Sequence, residues 1–376
     1  MDSLDNVDII NNFDSSNQIN IMIKWPELID ETLATLEHFA NKPILYWKGK
    51  TFNYRTPSSV VICGMGGSAI AGDYLIDGYS NIISVPVLTN RSYSLPHFVD
   101  NSTLVLCVSY SGNTEETISC YYDAIVKGAM VISISSGGIL EEISKLTNLP
   151  HIFVKKGQPP RTALPMIYLS LLHVFTKLDL LPPIDEQIQE TKSLLKQLGK
   201  EYGVSSSTSS NIAKQIAKEI HTFLPIFIGH TYLSAVVTRA RTQLNENSKR
   251  ICLSEVIPEQ NHNGIVAWDH PKSISPTSYV IFLHDKETHP NISLRIHETK
   301  KSVLLKTDKV KELSPRGNSV LAKQFSLTYL VDFVSLYLAI LEEVDPTATP
   351  SIDKLKEELR NKLNSLELII EKMNNL

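Results

Sequence analysis

Cysteine is scarce in this sequence, and long apolar runs and basic clusters are missing from it. Only four of the 376 residues are cysteines, and no two of them have the Cys-x-x-Cys spacing of a zinc or redox site. Three of the four lie in or beside apolar stretches that predict buried strands, which is typical of proteins from a reducing compartment. We therefore expect a cytoplasmic protein. The cysteines are Cys63, Cys107, Cys120 and Cys252.

Neither a membrane nor a nucleic acid is an expected partner. The chain does not start with basic residues followed by an apolar stretch, and no run is apolar over the roughly 18 residues that a membrane span requires. The 36 basic and 40 acidic residues give a net charge of -4 and are spread along the chain. No basic arm or stripe is present that would neutralise the phosphates of a nucleic acid.

Short apolar runs alternate with helical patterns along most of the chain, which predicts parallel sheets covered on both faces. With 42% apolar residues, the chain is long enough for two such units. Strands are predicted at 60–63, 82–88, 104–108, 130–134 and 152–154, and again at 224–228, 251–254, 279–283 and 302–305.

The remaining segments predict the boundaries of the two units. An amphipathic helix is expected at 21–40, a polar helix at 184–201, a serine-rich linker at 205–210, and long helices from about Asn318 and from Ser351. We therefore expect a polar, mobile tail at 1–19, an N-terminal unit at 20–180 and a C-terminal unit at 181–317. Helices at 318–376 would complete the active site.

The first predicted strand ends in a glycine-rich loop, 64–69 (GMGGSA), directly before a helix. Glycines allow a tight turn and bring backbone N–H groups to an anion at the start of the helix. The loop also fits the dinucleotide pattern G-x-G-x-x-G/A, but a Rossmann site needs a carboxylate about 20 residues later, and 87–91 (VLTNR) has none. A phosphate-binding loop is favoured, with Gly66, Gly67 and Ser68 as the candidate contacts.

The third predicted strand ends in a loop rich in hydroxyl groups, 109–114 (SYSGNT), again before a helix. Ser109, Ser111 and Thr114 can donate hydrogen bonds to a phosphate at the positive end of the helix dipole, without a lysine. One such loop alone is commonly explained by Thr114 capping the helix and the serines forming a turn. Two such loops at the ends of neighbouring strands favour a phosphate site.

These two loops resemble those of the sugar isomerase (SIS) fold, whose members bind sugar phosphates. Further segments resemble the bifunctional phosphoglucose/phosphomannose isomerases and follow in the order of that family, so that the resemblance extends from about Ile21 to the C-terminus. It implies an α/β fold of two SIS-type subdomains, each a mainly parallel sheet flanked by helices, with N- and C-terminal helices packing across them. The segments are 158–161 (QPPR), 243–249 (QLNENSK), 258–263 (PEQNHN), and 344–347 (VDPT) followed by Lys354.

The resemblance implies an enzyme that interconverts glucose 6-phosphate and mannose 6-phosphate with fructose 6-phosphate through a cis-enediolate. This chemistry needs one base that moves a proton between C1 and C2. Glu246 is the candidate base because it lies among uncharged neighbours near the end of a predicted helix. Glu259 is its stronger rival and Glu255 a weaker one.

Other segments of the resemblance imply the remaining catalytic roles. His262 and Lys354 suit ring opening, which moves a proton between the ring oxygen and the C1 hydroxyl. Arg161, held by two prolines, suits stabilisation of the enediolate oxygens. The resemblance also implies that a threonine at the position of Thr347 distinguishes the dual-specificity enzymes from the glucose-only isomerases. The resemblance also implies a homodimer in which His262 reaches the active site of the other subunit.

We expect neither a metal nor a cofactor, because the sequence contains no His-Glu-x-x-His, Cys-x-x-Cys or carboxylate triad with ligand spacing. Three alternative functions stay open. A sugar-phosphate sensor would keep the loops but would usually carry a DNA-binding helix-turn-helix, for which the N-terminal segment offers one convincing helix and no basic cluster. An aminosugar isomerase or synthase half would normally need amide-transfer machinery, and a nicotinamide-dependent oxidoreductase would rest on the glycine loop alone.

Overall fold

Two parallel sheets dominate the structure, a computed structural model that describes residues 3–37, 39, 44–363 and 365–375. The described residues divide into two units, each with its own sheet. Unit 1 contains residues 3–26 and 185–348, and unit 2 contains residues 27–184 and 349–375. The mixed α/β architecture with parallel sheets flanked by helices confirms the predicted fold class.

Unit 2 is built on a five-stranded parallel sheet with the strand order β4-β3-β5-β6-β7. All residues of β5 and β6 are buried, which explains why their sequences are unbroken apolar runs. The strands are the hairpin β1 (Ile44–Trp47) and β2 (Lys50–Asn53), then β3 (Ser59–Cys63), β4 (Val87–Asn90), β5 (Thr103–Val108), β6 (Met130–Ser135) and β7 (His151–Phe153). The helices are Gly66–Tyr79, Glu115–Lys127, Gly138–Thr147, Leu164–Lys177, Pro350–Leu363, Ser365–Asn375 and most of Trp25–Glu37.

The strand order places the two predicted loops side by side. Strand β3 pairs with β4 on one side and with β5 on the other. The parallel strands are therefore added in one direction from β3 to β4 and in the opposite direction from β3 to β5. Open parallel sheets bind ligands in the crevice beyond the carboxyl ends of two such strands. Because Cys63 is in register with Cys107, the glycine loop and the hydroxyl loop leave the sheet at the same edge.

Unit 1 contains a four-stranded parallel sheet with the order β11-β10-β8-β9. The sequence analysis expects no apolar run as long as a membrane span, but the helix Val320–Leu341 has the length and composition of one. Because 94% of its apolar window is buried inside the protein, this helix is the core of the unit. The strands are β8 (Leu224–His230), β9 (Leu253–Ile257), β10 (Ser278–Leu283) and β11 (Val310–Leu313). The helices are Val7–Phe13, Gln18–Ile23, Asp185–Tyr202, Ile212–Ile220, Ser234–Asn247, Pro290–Leu304 and Val320–Leu341.

The N-terminal segment differs from the expected polar, mobile tail because it is helical and packs into unit 1. Leu4, Ile10 and Ile19 are buried, which anchors residues that are otherwise mostly polar. The Asn6 side chain caps the helix Val7–Phe13, accepting hydrogen bonds from the N–H groups of its first turn. Asparagine at such positions stabilises a helix end, so a polar composition here does not indicate a lack of structure.

The serine-rich segment 205–210 lies inside unit 1 and does not separate two units. The buried Lys214 ammonium donates hydrogen bonds to the carbonyl oxygens of Val204 (3.0 Å) and Ser206 (2.7 Å), which holds this segment against its own unit. The expected borders at 180/181 and 317/318 also differ from the structure. The chain passes between the units after residues 26, 184 and 348, so unit 1 is discontinuous in sequence.

Two predicted strands are corrected by the structure. Residues 302–305 fall at the end of the helix Pro290–Leu304, where Val303 continues the buried face formed by Ile296 and Thr299. The edge strand is Val310–Leu313 instead, whose half-buried residues include a lysine and a glutamate. The strand predicted at 82–88 begins only at Val87. The helix predicted at 21–40 is divided into Gln18–Ile23 and Trp25–Glu37, and 38 and 40 lie outside the described residues.

Candidate functional site

The glycine-rich loop turns directly from β3 into the helix Gly66–Tyr79. A Cβ atom on Gly64 would lie 2.9 Å from the Val108 carbonyl oxygen, so only glycine fits between the two strand ends. Gly66 has a positive φ of 49°, which favours glycine as well. The N-cap residue Met65 makes no side-chain hydrogen bond to the helix, so it does not occupy the N–H groups of the first turn. These donors and the helix dipole suit an anion.

The hydroxyl loop gathers its side chains in front of the next helix. The Ser109 and Thr114 hydroxyl oxygens are 2.8 Å apart, and the Gly112 N–H donates to the Ser109 hydroxyl at 3.1 Å. Thr114 occupies the N-cap position of Glu115–Lys127, but its side chain makes no capping hydrogen bond. A capping role therefore does not account for Thr114. Ser111 is exposed beside this pair.

Ser68 joins the two loops. Its buried hydroxyl accepts a hydrogen bond from the Tyr110 N–H at 3.2 Å, which ties the start of the first helix to the hydroxyl loop. Gly66, Gly67, Ser68, Ser109, Ser111 and Thr114 are thus brought to one edge of the sheet in unit 2, as the sequence analysis expected from the two loops. Their individual contacts to a ligand stay a prediction.

A third loop, after β6, adjoins the hydroxyl loop and is missed by the sequence analysis. A Cβ atom on Gly112 would lie only 1.7 Å from the Gly137 carbonyl oxygen, so the two loops are in direct contact. The Lys156 ammonium lies beside Gly137, at 2.6 Å from where a Cβ atom on that glycine would be. The fold therefore brings a lysine to this edge of the sheet although the loop sequences contain none. Because Lys156 lies well after these loops in the sequence, no motif links it to them.

Arg161 lies on a 3₁₀ turn, Pro160–Ala163, next to the glycine loop. Its side chain is only 7% exposed, so the guanidinium is not a solvated surface group. A Cβ atom on Gly67 would lie 3.6 Å from the Pro160 carbonyl oxygen, which places the turn in van der Waals range of that loop. Arg161 and the phosphate-binding candidates therefore occupy the same region of unit 2.

Tyr110 connects the hydroxyl loop to the segment that precedes Arg161. Its hydroxyl donates to the Lys155 carbonyl oxygen (3.1 Å) and accepts from the Gln158 N–H (3.0 Å). The Tyr110 hydroxyl is thus hydrogen-bonded to both ends of the segment 155–158. This tyrosine is not among the residues that the sequence analysis selects, because its neighbours in the motif offer no reason for an aromatic side chain.

In unit 1, the structure brings Glu246 and Thr347 into one hydrogen-bonded arrangement. Glu246 is half-buried in the last turn of the helix Ser234–Asn247. The Lys249 ammonium donates to the Glu246 carbonyl oxygen at 2.9 Å and to the Asp345 carbonyl oxygen at 2.6 Å. The Asp345 carboxylate in turn accepts from the Thr347 N–H at 2.6 Å. Lys249 therefore links the backbone at the candidate base to the segment that carries Thr347.

His262 ends a 3₁₀ turn, Glu259–His262, that follows the edge strand β9. The imidazole is exposed, as is the rival Glu259, whose carboxylate accepts from the Asn263 amide at 2.7 Å. Lys354 is exposed on the helix Pro350–Leu363 of unit 2. An exposed imidazole and ammonium are accessible to a ligand or a second subunit, but their roles stay predictions.

The other rival, Glu255, borders a cavity of about 130 Å³ in unit 1. The lining is mainly apolar and includes Leu253, Trp268 and Ile274. Burial raises the pKa of the Glu255 carboxyl. Such an environment makes a carboxylate a better base, so Glu255 must be compared with Glu246 by experiment.

Two histidines that are not among the candidates of the sequence analysis have structural partners. His230 is buried, and its burial lowers the pKa of the imidazole to about 4, so the ring is neutral near pH 7. Its Nε2 accepts from the Asp285 N–H at 3.2 Å. His284 pairs with Glu312 at 3.0 Å. Among the described residues, no group of three or more histidine, cysteine, aspartate or glutamate side chains could hold a metal ion.

Comparisons with known proteins show the family to which the chain belongs. Residues 209–359 match the model of the bacterial phospho-glucose isomerase C-terminal SIS domain. The chain is similar to the bifunctional phosphoglucose/phosphomannose isomerase of Caldicellulosiruptor bescii, with 42% identity over 80% of this chain and 89% of the relative. It is also similar to the enzyme of that name from Aquifex aeolicus, with 32% identity over 88% of this chain and 99% of the relative.

A solved structure supports the fold alone. The C-terminal domain of glucosamine-fructose-6-phosphate aminotransferase from Francisella tularensis has a TM-score of 0.64 to this chain. The match covers 88% of this chain and 97% of that domain, at 13% sequence identity. Such a low identity shows a shared architecture, and the chemistry must be argued from the site residues.

Proposed function

Because this chain belongs to the bifunctional phosphoglucose/phosphomannose isomerase family, it is an isomerase of glucose 6-phosphate and mannose 6-phosphate, and we propose a role for each of its site residues. Fructose 6-phosphate is the common product of both reactions. The observation that carries the proposal is the convergence of the glycine loop, the hydroxyl loop and Arg161 at one edge of the unit 2 sheet. We place the enzyme in the cytoplasm, which agrees with its four free cysteines. Its sugar phosphates suggest a role in glycolysis and gluconeogenesis.

The phosphate group of the sugar binds to the two loops in this proposal. The N–H groups at Gly66 and Gly67 and the Ser68 hydroxyl approach it from one strand end. The Ser109, Ser111 and Thr114 hydroxyls approach it from the neighbouring one. The hydrogen bond between Ser109 and Thr114 holds these two hydroxyl groups in place before the substrate arrives, and the hydroxyl that accepts this bond keeps its own hydrogen for the phosphate.

The carboxylate of Glu246 removes the proton from C2 of the open-chain aldose and returns it to C1 of the enediolate, while the proton of the C2 hydroxyl moves to the oxygen on C1. The electrons of the broken C2–H bond form the C1–C2 double bond of the enediolate, and negative charge builds on its oxygens. The buried Arg161 guanidinium stabilises this charge, and because it is held in place before the reaction, its stabilisation costs little reorganisation. The reverse proton transfer converts the ketose to either aldose.

Ring opening precedes the proton transfer between carbons. His262 and Lys354 move a proton from the C1 hydroxyl to the ring oxygen in this proposal. Both side chains are exposed in the single chain, which suits groups that meet the substrate from outside. We further propose a homodimer in which His262 serves the active site of the partner subunit.

Thr347 allows both aldoses to react. Presenting either face of C2 to the same base requires the enediolate to rotate, and a small side chain at this position leaves room for that rotation. The link through Lys249 and Asp345 to the backbone at Glu246 supports this assignment.

The function is tested by measuring fructose 6-phosphate formation from glucose 6-phosphate and from mannose 6-phosphate, with a metal chelator present. Conversion of both sugars supports the dual isomerase. Conversion of glucose 6-phosphate alone would contradict the role of Thr347, and conversion of neither by the folded protein would favour the sugar-phosphate sensor. Circular dichroism of the same sample verifies the fold.

Replacing Tyr110 with phenylalanine is expected to lower kcat about tenfold with a smaller change in KM. The substitution removes the acceptor of the part-buried Gln158 N–H, and leaving a donor without its partner costs about 1–3 kcal/mol where it is shielded from water. Because Gln158 lies just before Arg161, the loss should weaken transition-state stabilisation more than phosphate binding. Steady-state kinetics measure the effect, with Tyr46→Phe as the control because Tyr46 is 71% exposed. Equal changes in both variants would contradict the positioning role.

Mixing two inactive variants tests whether His262 crosses between subunits. If it does, a mixed dimer of Glu246→Gln and His262→Ala chains contains one site with both native groups, and random exchange should restore about a quarter of the native activity. If each chain uses its own His262, no site contains both groups and the mixture stays inactive. Co-expression of the two chains with different affinity tags isolates the mixed dimer for the assay.

A further inference from the structure

The N-terminal segment contacts the candidate specificity residue directly. The Gln18 side chain is 1% exposed, and its amide nitrogen donates to the Thr347 hydroxyl oxygen at 2.7 Å. Both residues belong to unit 1. A buried glutamine with a short hydrogen bond to a hydroxyl has little freedom to turn away, so this contact fixes a geometry at Thr347.

Gln18 is itself held in place from its backbone. The Asp14 carboxylate accepts from the Gln18 N–H at 2.8 Å and from the Ile19 N–H at 2.9 Å, which fixes the first turn of the helix Gln18–Ile23. The Ser15 hydroxyl donates to the Asp345 carboxylate at 2.8 Å. Residues 14–18 therefore contact the Asp345 to Thr347 segment at two points, through Ser15 and through Gln18.

The same segment is connected to the candidate base. Asp345 accepts the Thr347 N–H on its side chain and the Lys249 ammonium on its carbonyl oxygen. The Lys249 ammonium also donates to the Glu246 carbonyl oxygen. A displacement at Gln18 can therefore change the position of Thr347 relative to Glu246.

The bond from Gln18 selects one rotamer of Thr347. Threonine carries a hydroxyl and a methyl on the same carbon, so fixing the hydroxyl oxygen also fixes where the methyl points. Because the hydroxyl accepts from Gln18, its own hydrogen is directed elsewhere. The shape and the hydrogen bonding that Thr347 presents are thus set by a residue of the N-terminal segment.

We propose that Gln18 is a positioning residue that sets the relative rates with mannose 6-phosphate and glucose 6-phosphate through the rotamer of Thr347. This inference rests on the proposed role of Thr347. Gln18 does not touch the substrate in it. A side chain that reorients Thr347 changes the space in which the enediolate rotates, and rotation affects the two epimers differently.

The test compares kcat/KM for the two aldoses in Gln18→Met, Thr347→Val and the double variant. Methionine has nearly the size of glutamine but no donor. Gln18→Met is expected to change the ratio of the two kcat/KM values about 3- to 10-fold, which corresponds to about one hydrogen bond. The double variant should have the ratio of Thr347→Val alone, because Gln18 acts only through that hydroxyl.

Gln215→Met is the matched control, because it removes another amide of unit 1 that donates to the Thr208 and Ser209 carbonyl oxygens. Its ratio should stay within about twofold of the native one. The melting temperatures of Gln18→Met and Gln215→Met show whether the two variants differ in stability. Gln18→Glu, which keeps the size but cannot donate, provides a second variant and should also change the ratio.

Two results would overturn the proposal and are distinguishable. If Thr347→Val changes the ratio but neither Gln18 variant does, Gln18 has no positioning role and the role of Thr347 stands. If Thr347→Val leaves the ratio unchanged, the proposed role of Thr347 fails, and the inference about Gln18 fails with it. Additive effects of Gln18→Met and Thr347→Val would also contradict action through the Thr347 hydroxyl.

Discussion

The Glu246→Gln variant is expected to lose both isomerase activities, with kcat lowered about 10²–10⁴-fold for each sugar. The amide cannot take the proton from carbon, whereas it has the size of the carboxylate and should leave binding intact. Both activities should fall together because one base serves both epimers. Initial rates with each aldose measure the loss, and exchange of the C2 proton with deuterated solvent should stop as well.

The two rival carboxylates provide matched controls for this experiment. Glu259→Gln removes an exposed carboxylate. Glu255→Gln removes the carboxylate that borders the cavity lined by Trp268, and burial raises the pKa of this carboxyl. Both variants should keep solvent exchange at C2. If Glu255→Gln abolishes exchange while Glu246→Gln retains it, the base is Glu255 and the assignment made from the 243–249 segment is wrong.

Asp332→Asn is expected to lower the free energy of unfolding by about 3–5 kcal/mol. Arg239 and Asp332 are 2% and 0% exposed and are joined by hydrogen bonds of 3.0 Å and 2.6 Å from the guanidinium to the carboxylate. The substitution leaves the guanidinium buried without its counter-charge, which is far more costly than losing an exposed ion pair. Urea denaturation followed by circular dichroism measures the change.

Replacing both partners separates the charge from the packing. The double variant Arg239→Met with Asp332→Leu removes both buried charges and should recover most of the lost stability. If Asp332→Asn alone costs less than about 1 kcal/mol, the pair does not have the strength expected of a buried one. The pair joins the helix Ser234–Asn247, which carries Glu246 in its last turn, to the core helix Val320–Leu341. Neither residue of the pair is a candidate for contact with the substrate, so activity should fall mainly at temperatures where unfolding begins.

Elements buried on both faces are the ones that the sequence predicts best. The strands expected at 104–108 and 130–134 agree with β5 and β6 to within one residue, because full burial leaves no polar position within the run. Strand β11 is different, since all four of its residues are only half-buried at the edge of the sheet. An apolar run in the last turn of a helix, 302–305, is more strand-like in sequence than this true strand.

The site is predictable to the extent that its signals are local. The glycine and hydroxyl loops each combine a strand end, a turn and a helix start within a few residues, so their motifs indicate an anion site without any tertiary information. Tyr110 and Gln18 have no such signal. Tyr110 contacts a backbone N–H 48 residues away, and Gln18 contacts a hydroxyl 329 residues away. Only the folded chain reveals these pairs.

The discontinuity of unit 1 affects how the protein is made. Residues 3–26 leave the ribosome well before the sheet of their own unit, which begins only at Leu224. At synthesis rates of about 5–20 residues per second, the intervening chain takes on the order of ten to forty seconds to appear. Leu4, Ile10 and Ile19 have no unit to pack into during that time. The N-terminal segment is therefore buried only after the rest of unit 1 has been synthesised, and a nascent chain stalled before residue 185 would leave it open to chaperones and proteases.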